Sequence, residues 1–417
     1  MKEFSMVIKN ASIKGSKTPV AIGIRDGKIK RIEARGSFWG EEEIDAAGGY
    51  VSPSFTDPHF HLDKTMSRAV FGADKFEDAF GKAHEVKAHF TAEDVKKRAM
   101  YALELAVSQG LGAIKAQVDV DYATGTTSLE GVMEAAEAYK ELITVEPIAF
   151  PQEGMVCDKK QPEMLRQAIK MGCKYIGGLP EFEGKGSLDE QRQHIKMIFD
   201  LAEEFDVDID CHTDYTDRIH FKTLEMVADE TIRRRMQGRV CVDHCTALAV
   251  YEEEEARRVI EKTAEAQINV IVLPIANLQM LGGEKRTPVN RGSSRILELL
   301  DAGVNVCAGS DNMFDIWYRF NSMNPVLTGL MSCLSGGMRT DKEVEESFEM
   351  VTNRAARAMK RWDRGVIVGA PADLCIHSAK NIVDIYRMLP GKRITLKNGK
   401  RVGECEMTTW SVPPALH

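Results

Sequence analysis

Short β-like runs alternate with longer helical runs through the middle of this 417-residue chain, and this alternation limits the possible folds more than any other feature. Helical stretches fill most of the gaps; in residues 92–109, for example, apolar side chains recur at helical spacing. Eight β/α units within about 300 residues predict an α/β fold, a (β/α)8 TIM barrel. The eight candidate strands are residues 51–55, 113–118, 145–150, 175–179, 207–212, 239–244, 269–274 and 304–310.

A doubly wound open sheet is the alternative architecture for such an alternation. Sheets of that kind often bind phosphate groups on a glycine-rich loop, with the pattern GxGxxG, or GxxxxGK followed by Ser or Thr. Neither pattern occurs in the sequence. The barrel is therefore the favoured prediction.

Both ends of the chain contain short β-like runs separated by tight turns. Asp26-Gly27 and Asn398-Gly399 each stand between two such runs, and these dipeptides are strong hairpin signals. Neither end alone has enough strands to bury a sheet face. We therefore predict a small β-sandwich domain built from residues 1–50 and 366–417, with the barrel occupying residues 51–365.

Five side chains that can bind a metal follow the predicted barrel strands. His59 and His61 come after the first strand, whereas His212, His244 and Asp311 end the fifth, sixth and eighth. Catalytic groups of such barrels lie at the carboxyl ends of the strands. Residues two apart in an extended chain share a face, and neutral imidazole is the commonest metal ligand in proteins. The pattern predicts a metal site at this end of the barrel.

Three histidines and a carboxylate bind one divalent ion and leave a coordination position for water. Such an ion lowers the pKa of water from about 15.7 to about 7, which provides a hydroxide nucleophile. Asp311 would be a ligand or a nearby group that accepts the proton of the water. His244 would face the substrate and stabilise developing charge, and Asp63 can hold a ligand histidine in place.

Five motifs together resemble the amidohydrolase superfamily, in its cytosine deaminase-like branch, over nearly the whole chain. They are His59-Phe60-His61-Leu62-Asp63, Pro151-Gln152-Glu153-Gly154, His212-Thr213-Asp214, His244-Cys245-Thr246-Ala247-Leu248 and Ser310-Asp311-Asn312-Met313-Phe314-Asp315-Ile316-Trp317-Tyr318. The resemblance implies that one zinc or ferrous ion is held by His59, His61, His212 and Asp311. It also implies catalytic roles for His244 and Asp311. The substrate contacts that we expect are Gln152, Lys64, Asn312, Asp214, Tyr215 and Trp317.

Three positions depart from the cytosine deaminase pattern. Tyr215 stands where those enzymes have a proton-shuttling glutamate, Asn312 replaces a second aspartate, and Lys64 replaces a threonine. The combination of Lys64 with Asn312 is more similar to N-isopropylammelide isopropylaminohydrolase, a relative that removes an alkylamine from a triazine ring. The fourth strand ends near Glu181 and not at the lysine that binuclear relatives carboxylate, so we expect a single metal ion. Glu181 is either a substitute acid or a salt-bridged residue at the rim.

Composition excludes several other classes of protein. The formal net charge of -8 argues against binding to nucleic acid or to an anionic membrane. No stretch approaches the roughly 20 apolar residues of a membrane span, and the N-terminus has no signal-peptide pattern. Nine dispersed cysteines without a CxxC pair suit a reducing cytoplasm. We therefore expect a cytoplasmic protein without nucleic-acid or membrane partners, and we expect a homo-oligomer.

These features predict a metal-dependent enzyme that hydrolyses a C–N bond on a small nitrogen heterocycle and releases ammonia or an amine. Hydroxide would attack an amidine-like ring carbon while Asp311 takes the proton. Within hydrolases, the alternative is ring opening of a cyclic amide or imide. From another class, the alternative is a barrel that binds a metal or a ligand without turnover. The missing glutamate favours that last alternative, and the four ligand residues oppose it.

Overall fold

The computed structural model describes residues 3–68, 76–216, 220, 222–281, 293–389 and 391–407. The described residues of Met1–Ser54, Val107–Gly110 and Asp363–His417 form one compact unit, and those of Phe55–Ala106 and Leu111–Trp362 form another. The last part of the predicted sandwich, residues 408–417, lies outside the described residues. The predicted domain boundaries stay a prediction, because compactness does not show that a unit folds on its own.

The described residues contain sixteen strands, and helices separate most of the barrel strands. The strands are β1 Phe4–Ala11, β2 Val20–Arg25, β3 Lys28–Ala34, β4 Gly40–Asp45, β5 Val51–Pro53, β6 Phe55–Phe60, β7 Leu111–Asp119, β8 Thr144–Phe150, β9 Tyr175–Gly178, β10 Asp208–Thr213, β11 Val240–His244, β12 Asn269–Val272, β13 Asn305–Ala308, β14 Leu374–His377, β15 Arg393–Lys397 and β16 Lys400–Cys405. The α-helices are Phe76–Lys87, Ala92–Ser108, Thr127–Tyr139, Gln161–Met171, Leu188–Phe205, Thr223–Arg233, Glu253–Glu265, Pro274–Met280, Ile296–Asp301, Pro325–Ser335, Asp341–Glu349, Asn353–Ala358 and Ile382–Arg387. Two 3-10 turns span Pro180–Lys185 and Ala247–Val250.

The first unit is a sandwich of two four-stranded sheets. Their strand orders are β3-β2-β1-β4 and β16-β15-β14-β5. The predicted turns Asp26-Gly27 and Asn398-Gly399 connect β2 to β3 and β15 to β16, with positive φ at all four residues, as tight hairpins require. Buried side chains of both sheets share one apolar core, among them Ile8, Ile22 and Leu374. The predicted sandwich from both termini is therefore confirmed.

The second unit is a barrel of eight parallel strands, β6 to β13, which pair in chain order. A parallel bridge between Phe60 and Asp311 joins the last strand to the first. There the backbone N–H of Asp311 donates to the His59 carbonyl oxygen at 3.0 Å, and the N–H of His61 donates to the Asp311 carbonyl oxygen at 2.7 Å. The predicted (β/α)8 barrel is confirmed, and its ring closes at residues predicted for the metal site.

The prediction for the first barrel strand was wrong in position. Residues 51–53 form β5 of the sandwich, and the barrel strand β6 begins only at Phe55. The intervening Ser54 donates its backbone N–H to the Asp373 carbonyl oxygen. One apolar run therefore supplies a strand to each of two sheets. Hydrophobic periodicity cannot show where one strand ends and the next begins. As a result, His59 lies within the strand and not after it.

Gly309 permits the close approach of the last barrel strand to the first. A β carbon at this position would lie 2.9 Å from the β carbon of His59 and 3.0 Å from a methyl group of Leu273. We expect Gly309→Ala to destabilise the protein by about 1–3 kcal/mol, because both neighbours are buried in the barrel. Urea denaturation measures the change. Gly391→Ala is the control, since its β carbon would meet only the Met388 carbonyl oxygen, at 3.6 Å; equal midpoints for the two variants would contradict the prediction.

Candidate active site

All five side chains predicted to bind a metal lie together at the carboxyl ends of the barrel strands. His59 lies in β6, His61 follows it directly, His212 lies in β10, His244 is the last residue of β11, and Asp311 follows β13. Each of the five is buried. The structure therefore brings together residues that lie up to 252 positions apart in the chain, from 59 to 311.

The donor atoms of these residues are close enough to share one ion. Ring nitrogens of His59, His61 and His212 lie within 4.8 Å of one another, and so do donor atoms of His59, His244 and Asp311. The Asp311 Oδ1 atom is 3.3 Å from His61 Nε2 and 3.4 Å from His59 Nε2. Each of these two groups could hold a metal ion, with ligands contributed by more than one strand.

Two of these residues have a strained backbone conformation, which orients their side chains. His244 and Asp311 have φ values of 66° and 67°, in the left-handed region that residues other than glycine seldom adopt. Such strain persists only where surrounding contacts enforce it, and it is concentrated at functional sites. At Asp311 those contacts include the two backbone hydrogen bonds that close the barrel. The strain is therefore consistent with a functional role for this edge of the barrel.

Burial and charge give three of the four histidines and Asp311 the protonation states that metal ligands need. Burial lowers the pKa of His61 to about 3, with the Lys64 charge adding to the effect, and it lowers the pKa of His244 to about 4. The pKa of His212 is also well below its usual value, through burial and the neighbouring His59. Burial opposes ionisation of Asp311, but its close contacts with His59 and His61 hold its pKa well below the ordinary range. Burial opposes the charged form of His59 as well, but Asp243 and Asp311 raise its pKa to about 10, so without an ion this ring carries a proton. The cluster thus offers three neutral imidazoles, an ionised carboxylate and one imidazolium whose proton a divalent ion would displace.

Unsatisfied buried atoms support a ligand at this position. Among the described residues, neither Asp311 Oδ2 nor His244 Nε2 has a hydrogen-bond partner, although both atoms are buried. Leaving such atoms unsatisfied costs about 1–3 kcal/mol each. Imidazole and carboxylate donors suit zinc or ferrous ion. The residues present therefore fit a divalent ion.

A cavity opens beside this cluster, and five of the six predicted substrate contacts line it. These five are Lys64, Gln152, Tyr215, Asn312 and Trp317, and they share the wall with His61, Leu179, Phe182, His212, His244 and Asp311. The sixth, Asp214, lies elsewhere. Its carboxylate accepts hydrogen bonds from the Tyr251 hydroxyl at 2.7 Å and the Leu224 backbone N–H at 3.1 Å. The structure gives no support for a substrate contact at Asp214.

Lys64 presents a buried positive charge to the cavity. Its Nζ atom donates to Asp119 Oδ1 at 2.8 Å and to Gln152 Oε1 at 3.1 Å. Burial opposes the charged form, but Asp119 and Asp63 raise the pKa of Lys64 above its ordinary value. Lys87 donates to the other Asp119 oxygen at 2.9 Å. The charge of Lys64 is therefore permanent at neutral pH, and a solvated surface lysine is excluded.

Tyr215 and Asn277 both contact His244. The Tyr215 ring meets the His244 ring edge-on, with centroids 4.4 Å apart. Burial raises the pKa of Tyr215 above its already high ordinary value, so this residue is no proton donor of carboxylic strength. Asn277 Oδ1 lies 2.9 Å from His244 Nδ1, which places the imidazole proton on Nδ1 and leaves Nε2 as an acceptor facing the cluster.

Glu181 has a role that sequence reasoning missed. It lies on the 3-10 turn Pro180–Lys185, is buried, and does not line the cavity. Its carboxylate accepts hydrogen bonds from the Tyr215 backbone N–H at 2.5 Å and from the Thr216 hydroxyl at 3.0 Å. Glu181 was predicted to be either a substitute acid or a salt-bridged residue at the rim. Its contacts instead make it an anchor for the loop after β10.

Glu183, two residues further on, anchors the loop that carries Gln152. It accepts hydrogen bonds from the backbone N–H groups of Met155 and Val156, the latter at 3.0 Å, and it lies 2.7 Å from His194 Nδ1. The only signal in the sequence was the position of both glutamates shortly after a predicted strand. The partners of the glutamates, 11 to 35 residues away along the chain, carried no signal.

A closed (β/α)8 barrel with a buried histidine–aspartate cluster at the carboxyl ends of its strands is the architecture of a barrel enzyme. Residues 71–402 match the model of the amidohydrolase family. The chain belongs to the amidohydrolase family. The enzyme class predicted from the sequence is thereby confirmed.

Curated relatives and solved structures resemble the chain along most of its length. It is 28% identical to N-isopropylammelide isopropyl amidohydrolase of Pseudomonas sp. (strain ADP), over 97% of this chain and 99% of that protein. It is 29% identical to pterin deaminase of Rhizobium rhizogenes, over 91% of this chain and 86% of that protein. Its fold matches 5-methylcytosine deaminase from Klebsiella pneumoniae liganded with 5-fluorocytosine, with a TM-score of 0.91, 26% identity, and coverage of 98% and 100% of the two chains. In the part of the chain that the structure describes, no helix is both long enough and apolar enough to cross a membrane.

Proposed function

We propose that this protein is a metal-dependent aminohydrolase that cleaves a C–N bond on a small nitrogen heterocycle and releases ammonia or an amine. The observation that carries the proposal is the buried cluster of four histidines and ionised Asp311, which borders a cavity with a buried lysine. The names of the relatives, which include an ammelide amidohydrolase and a pterin deaminase, support a heterocyclic substrate. We propose His59, His61, His212 and Asp311 as the ligands of one zinc or ferrous ion.

A divalent ion supplies Lewis acidity, which makes water a nucleophile near neutral pH. Residues of the chain transfer the proton and orient the reacting groups. Asp311 Oδ2 is unpaired among the described atoms and accepts the proton that water loses as its oxygen adds to the ring carbon. That proton passes to the nitrogen of the departing amine as the C–N bond breaks. His244 Nε2, held by Asn277 on the other side of its ring, orients the reacting groups.

The cavity wall opposite the cluster donates hydrogen bonds. Gln152 Oε1 accepts from Lys64, so the amide nitrogen of Gln152 is the group left to bind substrate. Lys64 has three donors, and two of them are used by Asp119 and Gln152. A ring with a carbonyl oxygen or an anionic edge would complement this wall. Phe182, Tyr215 and Trp317 line the same cavity and suit a flat ring.

Release of ammonia or alkylamine across a panel of pyrimidines, triazines, pterins and cyclic amides tests the proposal. Turnover of an amino-substituted ring with release of one equivalent of amine is the expected result. Ring opening of a cyclic amide or imide without amine release would favour the alternative hydrolase. Protein that binds zinc but turns over no member of the panel would favour the barrel without turnover.

The proposal includes a cytoplasmic location and a homo-oligomeric state. All nine cysteines are free, and seven of them are buried, which supports a reducing compartment. Light scattering of the purified protein would test the homo-oligomer. The absence of nucleic-acid and membrane partners stays a prediction.

Replacement of Lys64 by methionine should raise KM by about 10- to 100-fold, because a hydrogen bond to a charged group contributes about 1.5–3 kcal/mol. Steady-state kinetics on the substrate found by the panel measures this. Lys87→Met is the matched control: Lys87 also pairs with Asp119, but it does not line the cavity. Both variants should lose stability, since each leaves part of a buried carboxylate unpaired. An equal rise of KM in the two variants would contradict a substrate contact by Lys64.

A further inference from the structure

Asp243 is a buried carboxylate directly beneath the candidate metal ligands. It is the penultimate residue of β11 and pairs in register with His212 of the neighbouring strand β10. Its Oδ1 atom lies 3.0 Å from His59 Nδ1, and its Oδ2 atom lies 3.4 Å from His212 Nδ1. One carboxylate therefore faces two imidazoles that come from two different strands.

The two nitrogens of the His59 ring face opposite partners. Nδ1 faces Asp243, whereas Nε2 lies 3.4 Å from Asp311 Oδ1, on the side of the proposed ion. A proton on Nδ1 that is donated to Asp243 leaves Nε2 with the lone pair that a metal needs. The Nδ1 atom of His212 faces the other Asp243 oxygen, so a proton there likewise leaves His212 Nε2 with a lone pair for the metal.

We propose that Asp243 is a positioning residue that fixes both the tautomer and the ring orientation of His59 and His212, so that their Nε2 atoms converge on one ion. The inference rests on the proposed metal site. Asp243 has no substrate contact, because it does not line the cavity; it acts through the two histidines.

A chain of buried polar groups holds Asp243 from inside the barrel. Gln117 Nε2 lies 3.5 Å from Asp243 Oδ2 and donates to Asp210 Oδ1 at 2.6 Å. Asp210 in turn forms an ion pair with Lys115. All four side chains are fully buried. This chain gives Asp243 a fixed position that a lone carboxylate in a barrel core would lack.

An alternative role for Asp243 is that of a metal ligand, because His59, Asp210 and Asp243 also have donor atoms within 4.8 Å of one another. The Lys115 ammonium group already neutralises Asp210 at that place. A divalent ion beside it would meet a strong repulsion in the barrel interior, where charges are poorly screened. The positioning role is therefore favoured, and metal stoichiometry separates the two.

The test is zinc affinity of the full-length Asp243→Asn variant, measured by competition with a chromophoric chelator. An amide has one acceptor oxygen, and its other end is an NH2 group that only donates, so it can accept a hydrogen bond from only one of the two imidazoles at the spacing of the two carboxylate oxygens. We expect one equivalent of zinc in both proteins and a Kd about 10- to 100-fold higher in the variant. Asp373→Asn is the control, since Asp373 is also a buried carboxylate but pairs with Arg364 and accepts from the Asn398 backbone N–H; its Kd should stay within about threefold of wild type.

Three outcomes would overturn the inference. They are an unchanged Kd in folded Asp243→Asn, a wild-type protein with two equivalents of which the variant loses one, and an equal loss of affinity in Asp373→Asn. A wild-type chain that binds no zinc would instead overturn the proposed function.

A measurement on the wild-type protein keeps the inference testable if the variant fails to fold. In zinc-loaded protein with 15N-labelled histidine, the Nδ1 atoms of His59 and His212 should each carry a proton, and their Nε2 atoms should not. A spectrum that places the proton of either ring on Nε2 would overturn the inference.

Discussion

Asp311→Asn should lower kcat by about 10³-fold or more, the largest effect that we expect from a single isosteric substitution. A positioned proton acceptor contributes about 10²- to 10⁴-fold, and Asp311 is also proposed as a metal ligand. The amide keeps the size of the side chain, and its nitrogen can donate to a carbonyl oxygen, but it cannot take a proton at neutral pH. Steady-state kinetics with parallel metal analysis measures the effect.

The metal content of the variant separates the two roles of Asp311. Full zinc content with lost turnover assigns the loss to proton transfer, whereas lost zinc assigns it to ligation. Asp301→Asn serves as the control, because Asp301 is an exposed residue at the end of the helix Ile296–Asp301. An Asp311→Asn variant that retains turnover within threefold of Asp301→Asn would contradict both roles.

Removal of the metal should abolish turnover and lower the stability of the protein. Without the ion, the cluster holds several buried nitrogen and oxygen atoms that lack hydrogen-bond partners among the described residues. An ion at 100 times its Kd stabilises the folded state by about 2.7 kcal/mol. Chelation, elemental analysis and thermal unfolding with and without added zinc or ferrous ion measure these effects, and readdition of the ion should restore turnover.

A pair of histidine variants controls for side effects of the chelator. His61→Gln should reproduce the loss of turnover and should abolish the stabilisation by zinc. His89→Gln should do neither, since His89 is exposed and its Nδ1 lies 2.7 Å from the backbone oxygen of Glu85. Full turnover by protein shown to be free of metal would exclude metal dependence.

The barrel fold that the chain shares with its relatives does not by itself explain the chemistry of this cavity. Tyr215 packs edge-on against His244, and its backbone is held by Glu181. Tyr215 is therefore part of the aromatic wall of the cavity. Lys64 lines the same cavity with a buried positive charge, so the Lys64→Met variant tests whether this charge binds the substrate.

The sequence alone determined the barrel and the residues that gather at its rim. Hydrophobic periodicity is a local property, so eight alternating β/α units were visible without any tertiary contact. In such a barrel the carboxyl ends of all parallel strands meet at one face. That rule was enough to place His212, His244 and Asp311 beside His59 and His61.

Only the tertiary structure decided the contacts between those elements. Three features depend on partners far away in the chain. One apolar run is divided between β5 and β6, Asp214 contacts Tyr251 and not the cavity, and Asp243 lies close to two histidines. Periodicity shows which face of a strand is buried, but not which neighbour it meets. The energies of these contacts come from pairs of groups brought within about 3 Å by the closure of the barrel, and no local pattern encodes such a pair.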